Sequence, residues 1–133
     1  MVYNVRDYGA AGNGIADDSR AIQAVLTGGR KDVFIPAGDY RICNTLKVSS
    51  FTTITADPRA RIFLCGETPH HVNDFLLTNS DHHFGNVSIR LSGGIWDGNK
   101  QGKYNVKDPD LFRQSAYTGS VLNFRNVRTL ELF

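Results

Sequence analysis

The feature that most constrains the fold lies in residues 4–42, where one short helix pattern stands between glycine-rich turns and β-rich runs. After it, short β-rich runs separated by turn residues occupy positions 33–35, 40–42, 46–48, 52–55 and 61–64. This spacing leaves no room for crossover helices between strands. The sequence therefore predicts an all-β fold, and a sandwich, a jelly roll or a β-solenoid would each show such strands.

The single helix is expected at about residues 18–27. Asp17, Asp18 and Ser19 offer capping oxygens before it, and Gly28 follows it as a stop signal. We therefore interpret the Asp17–Asp18 pair as binding backbone amides rather than moving protons. The apolar face of the helix is formed by Ala21, Ile22, Val25 and Leu26.

Three segments in the first third of the chain carry a family resemblance: DYGAAGNG, ADDSRAIQAV and VFIPAGDYRI. They resemble the opening of the pectate-lyase superfamily, which includes polygalacturonases and phage tailspikes. The resemblance implies a right-handed parallel β-helix with a short N-terminal capping helix, and it selects the solenoid among the all-β folds.

The length of 133 residues predicts one domain. Because proteins of this resemblance stack many coils, we interpret the chain as an N-terminal portion, truncated at its C-terminal end. A cap is expected over residues 1–30 and coils over 31–133, with a long loop at about 98–119. The last coil would be open at Phe133, so we expect continuing polypeptide or self-association with another chain there.

Charge and hydropathy exclude several classes of partner. The 15 basic and 13 acidic residues are spread along the chain, with a net charge of +2, so no basic stripe predicts nucleic-acid binding. No apolar run approaches the roughly 20 residues of a membrane span, and no signal-peptide pattern begins the chain. The cell location stays open, with only the resemblance favouring an extracellular one.

A second motif, SGGIWDGN, resembles the Gly-Gly-x-Ile-Asp-Gly-Asn turn that polygalacturonase-like proteins carry just ahead of their catalytic coils. It differs by the insertion of Trp96 between Ile95 and Asp97. One interpretation is structural: the glycines form a tight corner, and Asp97 and Asn99 bind nearby backbone amides. The other is direct contact with substrate.

Aromatic and polar side chains on or beside the predicted loop are the candidate ligand contacts. Aromatic faces suit sugar rings and polar groups bind their hydroxyls, although packing of the loop on the solenoid is the alternative. The predicted substrate-binding residues are Trp96, Asp97, Asn99, Tyr104 and Tyr117.

No catalytic residue is predicted within this chain. The resemblance implies hydrolysis by aspartates on neighbouring coils, in Asn-x-Asp, Asp-Asp and Gly-His-Gly motifs. The chain has no Asn-x-Asp after its Gly-Gly turn and no Gly-His-Gly, and its single Asp-Asp lies at the helix start. We therefore expect the catalytic aspartates beyond this chain and no catalysis by the chain alone.

No metal site or cofactor is predicted. The histidine pairs at residues 70–71 and 82–83 lack helical ligand spacing and are interpreted as solvated turns. The Asp-Gly-Asn turn and the Asp-Pro-Asp at 108–110 have oxygens suited to calcium, which lyases of the superfamily often use, but neither forms a dense ligand loop.

Cys43 and Cys65 are the only cysteines, too few for a disulfide framework and without Cys-x-x-Cys spacing. They are about one coil length apart, so they could lie on neighbouring coils. We expect buried free thiols, with a disulfide as the alternative.

Two functions remain open. The first is the N-terminal part of a polygalacturonase-like enzyme that hydrolyses glycosidic bonds of pectin-type polysaccharide. The second is a non-catalytic glycan-binding module of a tailspike or adhesin. The Gly-Gly turn favours the first, but a shared fold does not determine the reaction.

Overall fold

The computed structural model describes residues 1–65, 75–98 and 121–133. Within these ranges, a 3₁₀ turn at Val5–Tyr8 and one α-helix, α1, at Ser19–Leu26 accompany ten strands. In chain order the strands are β1 (Val2–Asn4), β2 (Asn13–Asp17), β3 (Lys31–Ile35), β4 (Gly38–Ile42), β5 (Leu46–Val48), β6 (Thr52–Leu64), β7 (Leu77–Asn79), β8 (Asn86–Asp97), β9 (Leu122–Asn123) and β10 (Val127–Leu132).

The strands stack in parallel into three walls. The first wall runs through β1, β3, the first part of β6, the first part of β8, and β10. The second wall runs through β2, β4 and the later parts of β6 and β8, and the third through β5, β7 and β9. The chain is a right-handed parallel β-helix with an N-terminal capping helix, which confirms the predicted fold class.

Helix α1 closes the first coil on the side where the later coils have the third wall. Its residues Ile22, Val25 and Leu26 are buried. The side chain of Gln23 accepts a hydrogen bond from the Lys47 amide at 2.8 Å and donates one to the Lys47 carbonyl at 3.0 Å. The helix thus pairs the edge of β5 as a strand would, and an edge that could recruit another chain is covered.

The core consists of inward-facing side chains that occupy the same register in successive coils. Because successive residues of a strand point to opposite faces, each wall contributes every second side chain to the interior. Full burial of one such aliphatic side chain contributes about 1.5–3 kcal/mol. The buried stacks include Val33, Ile54 and Leu91 in the first wall, Tyr40 and Ile62 in the second, and Leu46 and Leu77 in the third.

Side chains of the first family-like segments, residues 4–42, connect the cap to the first coil by hydrogen bonds. The buried Asp18 carboxylate accepts hydrogen bonds from the amides of Ala11, at 2.8 Å, and Gly12, at 3.0 Å. Arg6 donates to the Ala37 carbonyl at 2.8 Å. The predicted capping role is confirmed for Asp17, which accepts from the Ser19 amide, whereas Asp18 holds the glycine-rich turn and makes no side-chain cap bond.

At the corner that leads from the third wall into the first, the described coils share a left-handed residue at one equivalent position. Arg30, Phe51, Ser88 and Thr129 have φ angles of 56°, 59°, 57° and 63°, and the strand registers place them at equivalent positions. This conformation costs an L-residue with a Cβ roughly 1–2 kcal/mol. The coil geometry therefore imposes it against local preference.

Cys43 and Cys65 form a disulfide, with their Cα atoms 5.1 Å apart and a sequence separation of 22 positions. The expectation of free thiols is wrong. The register pairs Ile42 with Leu64, so the next residue of each strand faces its equivalent on the neighbouring coil, within the Cα distance that a disulfide requires.

The predicted loop at about 98–119 lies outside the described residues apart from its first position. Within the described ranges, no helix is long and apolar enough to cross a membrane.

Candidate functional site

The outer surface of the second wall carries the described part of the predicted site. Its outward side chains form two rows across the coils. The register aligns Asp39, Arg61 and Ile95 in one row and Arg41, Phe63 and Asp97 in the other. We call these six residues the second-wall face.

At the centre of this face, Arg61 and Asp97 form an ion pair between neighbouring coils. Arg61 donates from Nε at 3.1 Å and from Nη2 at 2.9 Å, both to Oδ2 of Asp97. The side chains keep 36% and 37% of their surface exposed, so both remain within reach of a ligand. The guanidinium also lies 4.2 Å from the centre of the Phe63 ring, which it covers.

Trp96 has a different environment from Asp97, although the sequence grouped them together. It aligns with the buried residues Ile62 and Tyr40 and packs against the core. Its indole Nε1 donates to the Gly93 carbonyl at 3.1 Å. Only the part of the ring that stays exposed is available to a ligand, so its predicted sugar contact stays a prediction.

The other predicted contacts, Asn99, Tyr104 and Tyr117, lie outside the described residues.

The Gly-Gly turn serves the close stacking of two coils. Gly93 has a φ of 75°, and a Cβ at this position would overlap the carbonyl oxygen of Ala56 on the preceding coil. The glycine is therefore required both by its backbone conformation and by the nearness of that backbone. This geometry supports the structural interpretation of the motif, and Asp97 follows it on the outer face.

Sequence reasoning missed Arg61 as a partner of Asp97. The two residues are 36 positions apart. Their contact depends on the register between β6 and β8, which shifts between Ala56 and Arg61 where the strands turn from the first wall into the second. The alternation of Arg61, Ile62 and Phe63 marks an outward arginine, but it does not tell which residue of the next coil faces it.

Asp17, which aligns with Arg41 at the first-coil end of this wall, is held in the ionised form. Burial by itself raises the pKa of the Asp17 carboxyl. Hydrogen bonds from the Ser19 hydroxyl and from the Ser19 and Cys43 amides, together with the charge of Arg41, outweigh burial and lower that pKa. A general acid of glycoside hydrolysis needs a raised pKa, so Asp17 is suited to holding structure and not to donating a proton.

The turn that contains His82 and His83 is built by hydrogen bonds. The Asp81 carboxylate accepts from the amides of His83, at 3.0 Å, and Phe84, at 2.9 Å, and a ring nitrogen of His82 lies 2.8 Å from the Thr78 hydroxyl. Across residues 1–65, 75–98 and 121–133, no group of three or more histidine, cysteine or acidic side chains is arranged to hold a metal ion.

Chemically, the second-wall face combines a fork of N–H donors, a carboxylate acceptor and an arginine that lies over an aromatic ring. Arg61 has five N–H donors, of which two bind Asp97, and the others suit a ligand carboxylate. The Asp97 oxygens suit hydroxyl donors. The face can therefore bind a ligand that carries both groups.

The sequence matches the family described as rhamnogalacturonase A/epimerase, pectate lyase-like, over residues 2–120. The phage-related protein YobO of Bacillus subtilis is 30% identical over 130 residues, covering 96% of this chain and 16% of that protein. The pre-neck appendage protein of Bacillus phage B103 is 33% identical over 100 residues, covering 74% of this chain and 11% of that protein. The chain thus spans less than a fifth of the length of either relative.

Solved structures share the fold. A family 28 exopolygalacturonase of Yersinia enterocolitica has a TM-score of 0.73 at 18% identity, covering 99% of this chain and 34% of that one. The A-module of the mannuronan C-5 epimerase AlgE6 of Azotobacter vinelandii has a TM-score of 0.72 at 18% identity, covering 98% and 36%. The adhesin PfbA of Streptococcus pneumoniae has a TM-score of 0.61 at 26% identity, covering 71% and 23%.

Proposed function

The chain belongs to the rhamnogalacturonase A/epimerase, pectate lyase-like family, and from this premise we propose that it forms the helix-capped start of a β-helix protein that acts on an acidic polysaccharide. The activity is proposed for the longer protein, since this chain spans a small share of its relatives. The observation that carries the proposal is the Arg61–Asp97 pair, whose side chains are 36% and 37% exposed on the second-wall face.

The proposed substrate class is a polyuronate, a polymer of sugars that each carry a carboxylate. The names of two structural neighbours, an exopolygalacturonase and a mannuronan C-5 epimerase, refer to polygalacturonate and mannuronan. Both polymers carry a carboxylate on each sugar. Arg41 and Arg61 supply cations on the second-wall face, and Asp97 supplies an acceptor for sugar hydroxyls. Pectin-type polysaccharide is the member of this class that the SGGIWDGN motif favours.

The proposed reaction of the longer protein is hydrolysis of glycosidic bonds. Such hydrolysis requires a carboxylic acid and a carboxylate on either side of the scissile bond. We assign these groups to coils beyond residue 133. The role of this chain is then to start the solenoid and to bind part of the polymer.

Binding of galacturonate oligomers to the purified chain, measured by calorimetry, tests the second-wall face. Arg61→Gln is expected to weaken binding about tenfold, because a hydrogen bond to a charged group contributes roughly 1.5–3 kcal/mol. Arg128→Gln is the matched control, since it removes the same charge from an exposed position of the first wall and is expected to leave affinity unchanged. Equal losses in both variants, or no binding at all, would overturn the proposal.

The same samples test the expected lack of catalysis. We expect no new reducing ends when polygalacturonate is incubated with the purified chain. Release of reducing ends by the chain alone would show that a catalytic pair lies within these 133 residues.

A second candidate function is a non-catalytic glycan-binding module of a tailspike or adhesin. Two relatives that match most of this chain are a phage-related protein and a phage appendage protein, and a structural neighbour is an adhesin. Product analysis with the full-length protein separates the candidates. New reducing ends indicate a hydrolase, unsaturated ends a lyase, inverted C-5 centres an epimerase, and an unchanged polymer a binding module.

A further inference from the structure

A second surface of this chain has features of a ligand site, and it shares no residue with the second-wall face. It is a depression open to solvent, at the corner that leads into the first wall. Besides the terminal methionine, it is lined by Tyr3, Arg30, Lys31, Asp32 and Phe51. We call these five residues the corner depression.

Phe51 presents a large aromatic surface to solvent. The residue is 46% exposed, although phenylalanine is among the residue types most often buried in proteins. The guanidinium of Arg30, from the preceding coil, lies 4.7 Å from the centre of its ring. The left-handed backbone is common to this corner in four coils, but the equivalent Ser88 and Thr129 have no ring. The corner conformation therefore does not require an aromatic residue, and the pairing of Phe51 with Arg30 is specific to these two coils.

Lys31 is held in place at the edge of the depression. Its ammonium donates to the carbonyls of Val25, at 3.0 Å, and Thr27, at 2.8 Å, at the end of α1. An ammonium has three donors, so two fixed bonds leave one proton for another acceptor. The same nitrogen lies 5.6 Å from the centre of the Tyr3 ring, so it also stands beside an aromatic face.

The charges of the depression do not neutralise one another. Two cations, Arg30 and Lys31, face one carboxylate, Asp32. Within the described part of the chain, neither Arg30 nor Asp32 forms an ion pair. The guanidinium and the carboxylate are therefore both available to a bound molecule.

We propose that the corner depression binds a uronosyl unit of the polysaccharide, as a site separate from the second-wall face. Phe51 and Tyr3 contact the apolar faces of the sugar, because aromatic rings suit such surfaces. Arg30 and the third N–H donor of Lys31 bind the carboxylate of the sugar, and Asp32 accepts hydrogen bonds from its hydroxyls. The inference rests on the proposed function for the identity of the polymer, but its residues are tested independently.

The test is an NMR titration of the purified chain with galacturonate oligomers, with neutral galactose oligomers as the matched probe. We expect the amide signals of Arg30, Lys31 and Phe51 to shift with the acidic probe, and to shift much less with the neutral one. Phe51→Asn and Arg30→Asn each remove the functional group but keep a residue that tolerates the left-handed conformation. Both variants are expected to bind about tenfold more weakly, and both are first checked for wild-type thermal unfolding.

Ser88→Asn is the control variant, because it makes the same kind of change at the equivalent corner of the next coil. Its affinity is expected to equal that of the wild-type chain. If Phe51→Asn does not fold, the affinity of Arg30→Asn and the NMR shifts of the wild-type chain test whether the corner depression binds the sugar.

The outcomes separate this inference from the proposed function. Binding that weakens in Arg61→Gln but not in Arg30→Asn or Phe51→Asn overturns the corner depression and leaves the second-wall face. Binding that weakens only in the corner variants supports the corner depression and overturns the second-wall assignment. No binding of the acidic probe overturns both.

Discussion

Cys43 and Cys65 occupy equivalent positions on neighbouring coils and are joined by a disulfide. Disulfides persist mainly in oxidising environments, outside the cell or in the periplasm. The pairing is therefore expected to persist where the chain meets such an environment. It also fixes the first two coils relative to each other at the corner between the second and third walls.

We expect the double replacement Cys43→Ala and Cys65→Ala to lower the free energy of unfolding by about 3 kcal/mol, because the cross-link restricts the unfolded chain. Urea unfolding of both proteins measures the difference. Reductant is expected to destabilise the wild-type chain to the level of the double variant and to leave the variant unchanged. Thiols that titrate in the unreduced, unfolded wild-type chain would contradict the disulfide.

Asp18→Asn is expected to lower the free energy of unfolding by about 2–3 kcal/mol, because one oxygen that accepts a backbone amide becomes an NH₂ donor in a buried site. Asp7→Asn removes the same charge from an exposed position nearby and is expected to change stability by less than about 0.5 kcal/mol. Thermal and urea unfolding compare the two. Equal effects would show that Asp18 acts only through its charge.

Gly93→Ala and Gly28→Ala separate backbone strain from steric overlap. Both glycines have positive φ, but a Cβ at Gly93 would overlap the Ala56 carbonyl, whereas a Cβ at Gly28 has no atom within 4 Å. We expect a cost of about 1 kcal/mol at Gly28 from strain alone. The cost at Gly93 is expected to exceed about 3 kcal/mol, because the coils must move apart. Similar costs in urea unfolding would contradict the close approach of the coils.

Thr129→Asn is expected to raise the free energy of unfolding by about 1 kcal/mol, because threonine is strained in the left-handed conformation and asparagine is tolerated there. The same change at Thr55, an exposed position within β6, is the control and is expected to be neutral or destabilising, because asparagine is depleted in strands. Thermal unfolding of the two variants decides. Stabilisation at Thr55 but not at Thr129 would count against the strained corner.

Asp17 is expected to make stability depend on pH in the acid range. Because its folded-state pKa lies below the unfolded value near 3.8, the ionised carboxylate stabilises the folded chain above that value. This contribution is lost as the pH falls through the folded-state pKa. Asp17→Asn should therefore be less stable than the wild-type chain at neutral pH, and the difference should shrink in acid. Urea unfolding at a series of pH values measures this difference in the free energy of unfolding. A difference that grows in acid would contradict a lowered pKa of Asp17.

Much of the architecture could be read from local patterns. The apolar face that includes Ile22 and Val25 predicts the cap, and short runs such as β3 and β4 predict strands of the observed kind. The glycines of SGGIWDGN predict a tight corner, which Gly93 forms. These signals are local because helix faces, strand alternation and turn conformations depend on residues close together in the chain.

The arrangement of the site residues could not be predicted from local sequence patterns, because it depends on the register between coils. The opposite orientations of Trp96 and Asp97 follow from the alternation of β8, but which of them faces the core is decided by the alignment of Trp96 with Ile62. Arg61, which the prediction omitted, faces Asp97 for the same reason.

The sequence by itself determined a β-solenoid start with one capping helix, through helical and strand periodicity, turn chemistry and the family resemblance. Only the tertiary structure decided that Cys43 pairs with Cys65, that Arg61 pairs with Asp97, and that Phe51 stands exposed beside Arg30. The physical reason is that each contact joins residues on different coils. Such contacts depend on the register between parallel strands, which the corners and insertions of the whole chain determine.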